Sequence, residues 1–212
     1  MEYFNERLST TRLEKQIIAK YVVSKLLQGS DEVVLGGGTT VWYIGKAITS
    51  AKHIKNMRIF TCNLALICDW LKSSPQVFEE NTVAVLGGLV VGNRKSIASK
   101  TFRNLNKIER GIIGCSAINS KKGPTVIETD SSVQSLGIIE ACKEVIIAAD
   151  HTKLQGAQMP VTIRQGKTIQ ADIDKGKKYI LVTTKPKTGK KEFESRVEEF
   201  KSLGIEVKVL NR

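Results

Sequence analysis

The stretch Glu32-Val33-Val34-Leu35-Gly36-Gly37-Gly38-Thr39-Thr40-Val41-Trp42-Tyr43-Ile44-Gly45-Lys46-Ala47-Ile48 decides the fold class. Its first four residues form a short β-branched apolar run that stops abruptly at glycine, the mark of a buried strand. Val41–Ile48 reads as a helix, so the unit is strand, glycine loop, helix. Upstream, Thr11-Arg12-Leu13-Glu14 fits a capping box opening a helix, in which Leu13, Ile17, Tyr21, Val22 and Leu26 recur at three- and four-residue spacing before Gly29. Downstream the alternation repeats. Arg58–Thr61 is a strand, and Asn63 caps a helix through Ile67 and Leu71. Thr82–Leu86 is a strand ending at Gly87-Gly88, and Ser96–Leu105 reads as a helix. Gly111–Cys115 and Val145–Ala149 are strands around a helix at Ser132–Ala141. Tyr179–Thr183, a helix over Lys191–Leu203, and Glu206–Val209 follow. Strands alternating with helices predict an α/β fold, a mainly parallel sheet with helices on both faces. Residues 154–178 are more polar, with Val161-Thr162-Ile163 and Thr168-Ile169 as weak strands of a small antiparallel addition. The 212 residues suit one domain spanning 1–212.

Composition removes several classes. With 41% hydrophobic and 25% charged residues, 17 Gly and 4 Pro, the chain is neither disordered, collagen-like nor a disulfide scaffold. No apolar run approaches the ~20 residues needed to span a bilayer, and the start, Met1–Arg7, lacks the apolar core of a secretory signal. Cys62, Cys68, Cys115 and Cys142 show no CxxC spacing and sit among apolar residues, as buried reduced thiols do. A cytoplasmic, soluble protein is expected. The net charge of +12 is unevenly spread: residues 87–123 hold 8 Lys/Arg against 1 Asp/Glu, whereas residues 124–150 hold 1 against 5. Such an excess favours encounter with phosphates or nucleic acid. In the run Arg94–Lys122, however, Lys100, Arg103 and Lys107 share one helical face while Phe102, Leu105 and Ile108 take the inward positions. That pattern predicts a solvated basic side without aromatics to stack bases, and no specific nucleic-acid binding by this chain alone.

Ligands of parallel sheets collect beyond the carboxyl ends of the strands. The features falling there are Gly36–Thr40, Thr61-Cys62-Asn63, Gly87-Gly88, Gly114–Ser116 and Asp150-His151-Thr152-Lys153. In the first, Gly36, Gly37 and Gly38 let backbone amides approach an anion, with the Thr39 and Thr40 hydroxyls and a helix N-terminus behind. Taken alone, it is equally a tight turn; it is neither a Walker A loop nor a complete GxGxxG fingerprint. Asp150 and Lys153 supply a carboxylate and a cation after the most apolar strand, either a cap with a surface lysine or a point charge for a phosphate. Neither His53 nor His151 has metal-ligand company, and no metal or cofactor is expected.

In this order the motifs resemble the effector-binding domain of the DeoR family of bacterial transcriptional regulators. Glu14–Ala19 is similar to the family's opening helix, Leu35–Thr40 to its Asp-Ser-Gly-Thr-Thr loop and Asn63 to its Thr-Asn site. Gly87-Gly88 matches its double glycine, Gly123-Pro124-Thr125 its Gly-Leu-Thr element, and Asp150–Lys153 its Asp-Ser-Ser-Lys. The resemblance implies the fold of ribose-5-phosphate isomerase and CoA transferases, a phosphorylated sugar or similar small anion as ligand, and a homo-oligomer. The ligand residues it implies are Gly36, Gly37, Gly38, Thr39, Thr40, Asn63, Gly87, Gly88, Asp150 and Lys153. Departures are Gly36 and Gly37 in place of acidic and hydroxyl residues, Cys62 where Thr is common, and Ser135-Leu136 where members often carry a basic pair. Only ten residues precede Thr11, too few for the family's N-terminal winged helix. The expected function is therefore a ligand sensor rather than an enzyme. An aldose–ketose isomerase is the alternative, with Asp150 and Lys153 as its base and electrophile.

Overall fold

A computed structural model describes residues 2–98, 105, 107–154 and 159–212. In chain order the elements begin with α1 (Glu2–Ser9) and α2 (Arg12–Tyr21), the latter running into a π-helical turn at Val22–Leu26. Then come β1 (Glu32–Leu35), α3 (Thr39–Ile48), β2 (Arg58–Thr61), α4 (Leu64–Ser73), α5 (Gln76–Glu80), β3 (Thr82–Val85), β4 (Leu89–Val91) and β5 (Ser96–Ala98). They continue with β6 (Ile108–Gly114), β7 (Ala117–Asn119), β8 (Gly123–Val126), α6 (Thr129–Ala141) and β9 (Cys142–Ala148). The last are β10 (Val161–Thr162), α7 (Gly166–Asp174), β11 (Lys178–Thr184), α8 (Lys190–Ser202) and β12 (Glu206–Leu210).

Seven strands form one sheet in the order β12-β11-β9-β6-β1-β2-β3, and every neighbouring pair is parallel. The chain winds outward from β1 in one direction through β2 and β3. It then returns to the other side of β1 with β6 and winds the opposite way. β1 and β6 thus flank the point where strand order reverses, the place where open α/β sheets leave a crevice. Alternation along the strands builds a core on each face. Val33, Leu35, Ile112, Ile146 and Ile180 meet α2, α3 and α4 through Ile18, Ile44 and Trp70. Val34, Ile113, Val145 and Ile147 meet α6 and α8 through Ile138, Phe193 and Phe200. The two-faced α/β expectation holds.

Small antiparallel sheets complete the fold. β10 pairs β8 and β8 pairs β7, so the addition draws on 117–126 as well as on Val161-Thr162. Thr168-Ile169 is not a strand: it lies in α7, where Ile169 is fully buried. The expected helix at Ser96–Leu105 is also overturned at its start. Ser96–Ala98 pairs with Leu89–Val91 as a hairpin, and the Ile97 amide donates to the Cys62 carbonyl at 2.8 Å. Pairing outweighs local helix propensity there. Residues 99–104 and 106, with Lys100 and Arg103 of the supposed basic face and Phe102 of its inward side, lie outside the described residues, while Ile108 opens β6.

The capping box does not form. Thr11 sits in the left-handed region (φ 48°) at the junction of α1 and α2, with no side-chain cap bond. Its hydroxyl donates instead to Asp150 Oδ2 at 3.0 Å, and Glu14 is buried against Arg212. With Glu14 and Lys15 turned inward, α2 presents Ile18 and Ala19 to the core, and Leu13 is left 55% exposed. Cys62, Cys115 and Cys142 are buried free thiols, but Cys68 is exposed, contrary to expectation.

Candidate functional site

The loop after β1 is shaped by what surrounds it. A Cβ on Gly36 would stand 3.0 Å from the Ile112 carbonyl oxygen and 3.1 Å from Ile138 Cδ1, so a side chain there would crowd β6 and α6. Gly38 has φ 98°, a conformation that L side chains rarely adopt. The fully buried Asn63 fastens the loop from β2: its Nδ2 donates to the carbonyls of Gly36 (3.4 Å) and Gly38 (3.2 Å). Its Oδ1 accepts from the Leu66 amide and caps α4, as expected. The helical ladder of α3 begins with Trp42 N donating to Gly38 O at 3.0 Å. The preceding amides of the first turn therefore have no partner within the helix, and the positive end of its dipole is presented beyond the sheet.

That end opens on a cleft at the β1/β6 switch point. The cleft is lined by Gly37–Thr40, by Gly114–Ser116 at the end of β6, and by Glu128, Ser131, Gln134 and Ser135 from the first half of α6 and the residue before it. Gln134 is held by donation of its Nε2 to the Ile97 carbonyl at 2.5 Å, which locks the hairpin β4–β5 to α6. Arg94, in the hairpin turn, enters the cleft with its side chain 16% exposed and pairs with Glu128 at 2.7 Å. It also donates to the Ser131 hydroxyl, while its Nε is buried without a hydrogen bond. Phe4 and Arg7 of α1 complete the lining, and about 80 Å³ remains open.

The expected ligand residues separate into groups. Gly37, Gly38, Thr39 and Thr40 line the cleft, whereas Gly36 and Asn63 support the loop from behind. Gly87 and Gly88 are exposed. They lie at the same sheet end, at the exit of β3, and launch the hairpin that delivers Arg94, but they are not part of the wall. Asp150 is completely buried, accepting from Thr11 and, through Oδ1, from the Thr152 amide at 3.0 Å and the Thr152 hydroxyl at 2.5 Å. It is an anchor for the α1–α2 junction. Lys153 stands beside Cys115. Burial pushes the Cys115 thiol up to about 12, the nearby Lys153 and Arg7 charges oppose that rise, and Asp150 reinforces it. Lys15, 3% exposed, donates to the carbonyls of Arg7 and Thr10. Burial lowers it to about 8, against the pull of Asp150.

Phe4, Arg7 and Arg94 were invisible as site residues in the sequence. Arg94 had a signal, since it follows Gly87-Gly88 at the distance of a hairpin turn; α1 had none. Among the described residues, no helix is long and apolar enough to cross a membrane, and no group of three His, Cys, Asp or Glu could hold a metal.

Comparison with known proteins bears on this arrangement. The transcriptional repressor AccR of Agrobacterium fabrum is 26% identical over 187 residues, covering 85% of this chain and 68% of the repressor. Ribose 5-phosphate isomerase from Plasmodium falciparum superposes at a TM-score of 0.47 with 17% identity, over 66% of this chain and 52% of the isomerase. This chain thus matches about half the length of that enzyme. A probable sor operon regulator from Shigella flexneri aligns over 96% of this chain and 85% of its own, with 9% identity and a TM-score of 0.40. The profile of the DeoR C terminal sensor domain matches residues 10–171, from the α1–α2 junction into α7. The chain belongs to the DeoR C-terminal sensor domain family.

Proposed function

We propose that the cleft between β1 and β6 binds a phosphorylated sugar or a similar small organic anion. As a DeoR sensor domain, the chain is a ligand-sensing part of transcriptional regulation. The observation that carries the finer reading is that two positive features line one cleft. They are the open first turn of α3 and the largely buried Arg94 guanidinium, which also pairs with Glu128. Backbone amides at a helix start suit a phosphate without regard to the rest of the ligand. A guanidinium adds directed, charge-assisted bonds. Ser116, Ser131 and Ser135 line the same space and supply hydroxyls to read those of a sugar. Arg94 thereby takes the part of the basic pair that Ser135-Leu136 lacks. Lys153 contributes only as a neighbouring charge.

The isomerase reading is disfavoured by Asp150. A general base needs a carboxylate oxygen within reach of substrate, and both oxygens of this buried group are engaged by Thr11 and Thr152. A calorimetric screen of pentose and hexose phosphates tests the proposal. A saturable signal with at least one of them, absent with the unphosphorylated sugar and weakened in Arg94→Ala, is expected. No signal from the whole panel would refute it.

A further inference from the structure

We infer that α1 is an intramolecular occupant of the cleft: Phe4 and Arg7 fill space that a ligand would take, so α1 docking and ligand binding exclude one another. The inference rests on reading this cleft as the effector site. Its first support is volume. About 80 Å³ is open, whereas small-molecule sites usually offer roughly 300 Å³ or more. The space left beside Phe4 and Arg7 is small for a sugar phosphate.

The second support is how α1 is held. Phe4 is 5% exposed while its helix neighbours Asn5 and Glu6 are exposed. Phe4 is thus a buried apolar anchor of α1. Several polar ties come from the elements that build the site. Tyr43 of α3 donates its hydroxyl to the Leu8 carbonyl at 3.2 Å. Lys95 of the hairpin turn donates to Asn5 Oδ1 at 3.1 Å and sits 5.4 Å from the Phe4 ring centre. At the end of β9, Asp150 holds Thr11. A ligand that contacts the start of α3 and the hairpin therefore acts on the fastenings of α1 as well as on its space. In the linkage sense, whatever free energy docks α1 is subtracted from ligand affinity, and removing the occupant returns it.

Cys115, a wall residue only 8% exposed, reports the occupancy without any ligand. In maleimide labelling near pH 8, Cys68 serves as the fast exposed thiol and Cys142 as the core control. Phe4→Ser should raise the Cys115 rate about tenfold by opening the cleft and leave Cys142 slow. Tyr43→Phe, which removes only the hydroxyl tie, should raise it less. An unchanged Cys115 rate in both variants, or a rise matched at Cys142, would overturn the inference. Hydrogen exchange over residues 4–10, followed during titration with ribose 5-phosphate, supplies the second arm. Faster exchange is expected when ligand expels α1, and slower exchange would make α1 a lid and contradict the inference. If the labelling result is obtained but no sugar phosphate binds wild type or Phe4→Ser, the occupant stands and the sugar-phosphate reading fails.

Discussion

The two ends of the seven-stranded sheet are made by the same strands yet arrange charge differently. At the amino end several cations are answered locally. Arg110 of β6 lies between Asp31 at 2.5 Å and Glu144 of β9 at 2.9 Å, and Arg58 pairs with Glu32. Lys177 donates to the carbonyls of Ile139 and Cys142. At the carboxyl end the cations gather. Arg7 and Arg94 line the cleft, Arg94 in an ion pair with Glu128, Lys153 stands near it, and Asp150 is engaged by threonines. The helix starts there add positive dipole ends. Ion pairs at one end tie neighbouring strands together; at the other, cations and helix starts meet around the cleft. The basic run read as one stretch in the sequence is split by the fold, since Arg94 goes to one end and Arg110 to the other.

The comparison breaks most visibly at Arg110. Arg110→Ala strands two partly buried carboxylates and should lower the unfolding free energy by about 2–3 kcal/mol, less than the full loss of a buried pair because its side chain is 21% exposed. Denaturant titration measures this, and ligand affinity should not change. Unaltered stability would mean that the amino end is not held by its ion pairs. At the other end the effects should reverse. Arg94→Ala should weaken the sugar phosphate by about 2 kcal/mol with little change in stability, because Glu128 is 35% exposed and can be hydrated. Comparable losses in both properties would erase the distinction between the ends.

Smaller effects sharpen the picture. Lys153→Ala should cost ligand affinity below about 1 kcal/mol, as a charge near the site rather than in its wall; calorimetry in parallel with Arg94→Ala gives the ratio. Lys15 provides a pH test. Its folded value, lowered by burial to about 8 from 10.5, means that the unfolded chain binds more protons between those values. Its contribution to stability therefore rises as pH increases from about 8 toward 10.5 and is least at neutral pH. Measured as the difference between wild type and Lys15→Met, the unfolding free energy should shift in favour of wild type over pH 7.5–9.5. A difference independent of pH would contradict the burial of this ammonium group.

Legibility in the sequence followed the range of the contacts involved. β1 and β2 were readable to the residue, because β-branched runs ended by glycine or a helix cap are local signals. The glycine loop and Asn63 were readable for the same reason. Thr11 failed because its hydroxyl is claimed by Asp150, far away in sequence, and Ser96–Ala98 because Ile97 is held by the distant Cys62 and Gln134. Arg94 and Phe4 reach the cleft on a hairpin and an N-terminal helix whose docking depends on tertiary contacts that no periodicity announces. Asp150 was found as a polar group at a strand end, but the sequence could not show that its oxygens are spent on Thr11 and Thr152.

The central claim is that anion binding belongs to the carboxyl end at the β1/β6 switch. Amide chemical-shift mapping during titration with ribose 5-phosphate tests it most directly, since it reports on both ends at once. The account predicts the largest shifts at Gly38, Thr39, Thr40 and Ser116, accompanied by residues of α1, with Arg110 and Glu144 unmoved. Shifts centred on Arg110 and its neighbours, or spread evenly over the lysine-rich surface without saturation, would contradict it.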